Sequence, residues 1–119
     1  MASEAVIPIS ESLFAQVAQQ AASSPRRRKN HNLHQESDLV QRFLNVLQPG
    51  TYVRPHRHLR EQAGAGFECF VVLKGSIGLL VLNSAGEILQ RERLEASGEV
   101  RGVQSVSYTH LTLPTTVSV

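Results

Sequence analysis

Between Gln41 and Gln104 the chain is cut into short β-branched, aromatic and leucine runs, each closed by a turn signal. QRFLNVLQ stops at Pro49-Gly50, and TYVRPHRH follows. FECFVVL then runs into Lys74-Gly75, and SIGLLVL reaches the turn Asn83–Gly86. Past that turn, EILQRERL reads as a hairpin partner with its charges outward, and GEVRGVQ begins one more short strand. Strands at near-regular spacing predict an antiparallel sandwich or barrel. A chain of 119 residues has room for one such domain and a small core.

Upstream of the strands, SESLFAQVAQQAA predicts a helix over Ser10–Ala22. Ser10 can cap it, Glu11 suits the positive end of the helix dipole, and Leu13, Phe14, Val17, Ala18 and Ala21 form one apolar stripe. The helix must end before Pro25. Arg26, Arg27, Arg28 and Lys29 follow without aromatic interleaving, and the net charge is only +2, which argues against a nucleic-acid partner. These residues read as a solvated linker or as a receptor for an anionic ligand. In NHNLH, Asn30 and Asn32 favour a turn or loop, so His31 and His34 are weak ligand candidates. A single cysteine, Cys69, excludes an internal disulfide and fits a reducing compartment. With neither a signal peptide nor a membrane-spanning run evident, a cytoplasmic protein without membrane partners is the expectation.

The chemistry is concentrated between Gly50 and Gly75. His56 and His58 lie two apart in a strand-like segment, so alternation points both imidazoles one way and Arg57 the other. Glu68 opens the next strand. If those two strands pair antiparallel, its carboxylate faces both imidazoles across one ladder. Two imidazoles and a carboxylate make a ligand set for a divalent transition metal. Glu61 is the rival carboxylate, but it sits on a Gly-rich loop and lacks a glycine seven residues later.

The order Gly50, His56, His58, Glu68, Gly75 resembles the first motif of the cupin superfamily, with a longer spacer of nine residues, LREQAGAGF. SPRRRKNHNLH, VQRFLNVLQPGTYVRPHRH and FVVLKGSIGLLVLNSAGEI resemble, in the same order, the WbuC family of cupin-fold metalloproteins. The resemblance implies an antiparallel jelly-roll barrel, here incomplete, with an N-terminal helix. It implies iron, manganese, zinc or nickel held by His56, His58 and Glu68, and a link to bacterial surface polysaccharide of the O-antigen type. A small carbohydrate-type ligand and a homodimer of the intact parent are the partners it suggests.

Four readings fit that resemblance: an enzyme, a non-catalytic module for a small carbohydrate or sugar nucleotide, a jelly-roll dimer scaffold whose metal is structural or absent, or a non-functional fragment of a metal-dependent oxygenase or isomerase. As an enzyme, it would activate oxygen or polarise a sugar or sugar-nucleotide carbonyl, with Arg54, Arg57 and the basic segment as candidates for anionic substrate groups. No separate general base stands out, and the catalytic residues stay open.

Cupins bring a further histidine from a second motif, and the chain departs from that pattern after Gln104. No charged residue occurs after Arg101. Val106–Thr115, VSYTHLTLPT, resembles a transposon sequencing adapter translated in one frame, and the adapter's continuation accounts for the residues that follow. The expected organisation is a helix and basic linker over 1–35, a partial cupin barrel over 36–104, and a foreign tail over 105–119. On this reading His110 is a ligand only by coincidence. Amplification of the locus from source DNA should show a frame that leaves this sequence after Gln104 and continues with a Pro-Gly turn and a histidine. A genomic frame encoding SYTHLTLPTT would overturn the reading.

Overall fold

The computed structural model describes residues 6–56, 68–105 and 110–114, with side chains for 6–53 and 69–104. One helix, α1 (Glu11–Ser23), precedes eight strands. These are β1 (Arg28–Asn32), β2 (Phe43–Leu47), β3 (Tyr52–His56), β4 (Glu68–Val71), β5 (Ser76–Leu82), β6 (Ile88–Glu95), β7 (Gly102–Ser105) and β8 (His110–Pro114). The chain is mainly β and divides into two compact units, 1–48 and 49–119.

In the first unit the helix starts where its cap requires. The Ser10 hydroxyl accepts the Leu13 N–H at 3.2 Å, and the Ser10 carbonyl accepts the Phe14 N–H at 3.0 Å. Val17 and Ala21, one turn apart, are buried, with Leu13, Phe14 and Ala18 half-buried beside them. That stripe gives the helix an apolar side to set against the hairpin of β1 and β2, which it touches along both strands. After Pro25 the backbone turns at Arg27, whose φ is 57°. The β1–β2 ladder is antiparallel and runs from Arg28↔Leu47 to Asn32↔Phe43. Gln48 ties the unit together, its amide reaching the Ala18 carbonyl at 3.1 Å and its backbone N–H the Arg27 carbonyl at 2.9 Å.

Arg28–Asn32 is therefore a strand and not the linker or loop that its charges and asparagines suggest. The local preference of asparagine for turns is overridden by β2, which supplies a complete ladder of backbone partners. Pairing with β1 also places β2 in the first unit.

The second unit holds a four-stranded sheet in the order β3-β8-β5-β6 and a two-stranded sheet of β4 and β7. All its strand pairs are antiparallel. Among the described residues the strands do not close into a barrel. The β5–β6 hairpin is set by Asn83, whose side-chain oxygen accepts the N–H groups of Ala85 and Glu87 at 3.0 and 2.9 Å.

Leu79 joins the two sheets. It is 2% exposed and packs against Val53, Ile77 and Val81 of the four-stranded sheet and Phe70 and Val103 of the two-stranded one. Phe70 and Val103 are register partners, so they present one face, and Ile77, Leu79 and Val81 alternate along β5 to present the other. Leu94, opposite Ile77 and fully buried, extends this inner face onto β6. β4 and β7 pair closely at Gly102, where a Cβ would run into the Phe70 carbonyl.

Truncating Leu79 removes the contact shared by both sheets. Leu79→Ala should lower unfolding stability by about 2–5 kcal/mol in urea denaturation, while Leu39→Ala at a fully exposed site should leave it within about 0.5 kcal/mol. Equal effects of the two substitutions would contradict a core centred on Leu79.

Candidate metal centre

The glycines that frame the histidine and glutamate positions are required by the backbone. Gly50 has φ 83° and Gly75 φ 77°, in the left-handed region that glycine occupies without a Cβ penalty. Gly50 turns the chain into β3, and Gly75 turns it into β5. Between them, β3 ends at His56 and β4 opens at Glu68. His58, together with Arg57 and the rival Glu61, lies outside the described residues.

A direct ladder between the histidine strand and the glutamate strand is not what forms. Among the described residues, β3 pairs with β8 and β4 with β7, so His56 and Glu68 belong to different sheets. The reason lies in the core. Val53 of β3 packs on Leu79 from within its own sheet, whereas Phe70 of β4 packs on it from the other sheet.

Register then decides which faces positions 56 and 68 occupy. On β4, residues 68 and 70 share a strand face by alternation, and Phe70 is on the inner one. On β3, simple alternation would place 53 and 56 on opposite faces. Val53 pairs with Leu113 and His56 with Leu111, however, so β3 carries one more residue than β8 between these rungs. Such a bulge returns position 56 to the face of position 53, which is also the inner one. Positions 56 and 68 thus both lie on the inner faces of the two sheets that Leu79 holds together.

The strand β6 also contributes a polar residue to the inner face. EILQRERL is not uniformly charge-outward, because Glu92 is the register partner of Leu79 and so occupies the inner face. Arg91 and Arg93, opposite Leu80 and Gly78, take the outer face. Glu92 is half-buried, and its carboxylate accepts the Gln90 amide at 2.9 Å. Alternation within the strand carried this signal, since Leu94 two residues on is fully buried. Cys69 is exposed, on the face of β4 opposite Phe70.

His31 and His34 stand in different local settings. His31 is half-buried in β1, whereas His34 follows the strand and accepts the Arg42 N–H at its Nδ1, 2.9 Å away. Arg42 organises that loop. Its guanidinium donates to the carbonyls of Val40 and Leu33 at 3.1 and 3.2 Å and to the Asp38 carboxylate at 3.1 Å. The Asp38 carboxyl is held below its ordinary value, first by the Gln35 N–H and then by the hydrogen bond and charge of Arg42. Its lowered folded-state pKa means that this contribution to the loop is present above the ordinary aspartate pKa. It is lost as pH falls through the folded value. The spacing of Asp38 and Arg42, four apart, was the available sign of this pair.

Among the described residues no three His, Cys, Asp or Glu gather as a metal-binding group. The side chains of His56 and Glu68 stand outside that description. Again among the described residues, no helix is long and apolar enough to cross a membrane.

A family model described as a domain of unknown function (DUF6016) matches residues 9–94. The match takes in α1, the strands β1 to β5, most of β6, and His56, His58 and Glu68. No curated protein and no solved structure matches the chain.

Proposed function

The chain belongs to the DUF6016 family, and we propose that it is a cupin-type metal-binding protein whose metal is held by His56, His58 and Glu68. The observation that carries this reading is the bulge in β3. One extra residue between Val53 and His56 turns position 56 to the inner face, where Phe70 already marks the face of position 68. Positions 56 and 68, from opposing sheets, then lie on one side of a common core, and His58 follows two residues beyond His56 in the sequence. Gly50 and Gly75 support the reading, because each sits where the resemblance places a glycine and each adopts positive φ.

Two imidazoles and one carboxylate suit iron, manganese, zinc or nickel, with the remaining positions open to water or ligand. A metal so bound supplies Lewis acidity toward a carbonyl or a site for oxygen. The chain's own contribution is a dry wall on one side, Leu79, Val81 and Leu94, and a single polar pair, Gln90 and Glu92, on the same sheet face. The resemblance ties the activity to surface polysaccharide and hence to a small carbohydrate-type ligand. The incomplete jelly roll, the homodimer of the parent and the foreign origin of residues 105–119 belong to the same proposal.

Metal content tests it. The purified chain, dialysed separately against iron, manganese, zinc and nickel salts, should retain close to one equivalent of at least one of them by elemental analysis. His58→Ala should reduce that affinity by about tenfold or more. A chain that retains none of the four, or whose retention is unchanged by His58→Ala, would contradict the site.

A further inference from the structure

The first unit carries a second surface with its own chemistry. In the β1–β2 ladder, Arg28, Asn30 and Asn32 alternate onto one face, and their register partners Leu47, Asn45 and Phe43 share it. The opposite face holds His31, Leu44 and Val46, all half-buried, and the exposed Lys29. The asparagine face is open: Asn30, Asn32 and Asn45 are all exposed, and Phe43 keeps 46% of its surface accessible.

This composition runs against what a strand favours. Asparagine is depleted in strands because its side chain competes for backbone hydrogen bonds and packs poorly on a pleated surface. Three on one face of a five-residue ladder cost stability without filling a core. Where local preference is broken with no packing gain, a binding role is the physical alternative.

The three amides are arranged for a ligand with paired hydroxyls. Asn30 donates to the Asn32 side-chain oxygen at 2.8 Å, which aligns two amides along the strand. Asn45 is directly across from Asn30, and among the described residues nothing hydrogen-bonds its side chain. Each asparagine offers a donor and an acceptor a short distance apart, the pattern that adjacent hydroxyl groups complement. Phe43, opposite Asn32, supplies an aromatic ring at the end of the row, and the His34 ring lies tilted against it with centroids 6.2 Å apart. An exposed aromatic ring beside amides is amphipathic in the way a pyranose is, with C–H groups on its faces and hydroxyls at its rim.

The geometry points to a carbohydrate-binding site on this hairpin face, with Asn30, Asn32 and Asn45 contacting hydroxyls and Phe43 stacking on the sugar ring. It takes a neutral polyhydroxylated ring. Nothing in the metal reading is needed for it.

Saturation-transfer NMR on the full 119-residue chain tests this, with the methyl pyranosides of glucose and galactose as probes, in chelator so that no metal is bound. Cyclohexanol serves as a ring without adjacent hydroxyls. Transfer to at least one pyranoside, and weaker transfer to cyclohexanol, is expected. Asn45→Ala and Phe43→Ala should each reduce the pyranoside signal by roughly fivefold or more, with the amide spectrum of α1 showing that the unit is still folded. Should either variant lose that spectrum, Asn45→Asp, which keeps the size and removes the donor, takes its place with the same expected reduction. No transfer to either pyranoside, equal transfer to cyclohexanol, or transfer undiminished in the folded variants would overturn the proposal. Transfer that appears only after metal is restored would also overturn it, and would place sugar binding at the metal centre.

Discussion

Leu79 is the residue through which the second unit acquires an inside. It takes Phe70 and Val103 from one sheet and Val53, Ile77 and Val81 from the other, and it is almost wholly buried in doing so. Every assignment of inner and outer face in this unit follows from it, because strand alternation propagates a single known direction to the ends of each strand. That Glu92 points inward while its neighbours Arg91 and Arg93 point outward is a consequence of being opposite Leu79 in the ladder. The side on which Glu68 lies is fixed in the same way through Phe70.

Much of this was legible from residues alone. Ser10 as cap and the stripe from Leu13 to Ala21 are local signals, and the helix forms where they stand. Ser76–Leu82 and the Asn83–Gly86 turn also follow from apolar content and turn chemistry. What depended on distant partners was not legible. Arg28–Asn32 is a strand because β2 is there to receive it, although its own composition favours a loop. Pairing of the histidine strand with the glutamate strand was the simplest arrangement of the motif, but no pattern within either strand encodes which sheet it joins. The bulge in β3 is equally invisible, since one surplus residue shows only when a neighbouring strand is counted against it. A one-residue difference in register reverses the face on which a side chain lies. For this candidate site, it decides which face of β3 position 56 occupies.

The strand β8 lies between β3 and β5 and is bonded to both. Two open strand edges, each with a row of unpaired backbone groups, accept an extended segment from either side. Leu, Thr and Val favour that conformation whatever their origin. Leu111, Thr112 and Leu113 alternate apolar and polar residues, the simplest pattern that a sheet accepts. Pairing of this kind carries no information about a ligand at His110.

In the proposed site, His56, His58 and Glu68 converge on one metal, and X-ray absorption at the K-edge of the metal in the loaded protein reads that shell. It should show nitrogen and oxygen with the multiple-scattering signature of two imidazoles. That signature should fall to one imidazole in whatever metal His56→Ala still retains. A first shell without imidazole, or one unchanged by His56→Ala, would contradict the claim.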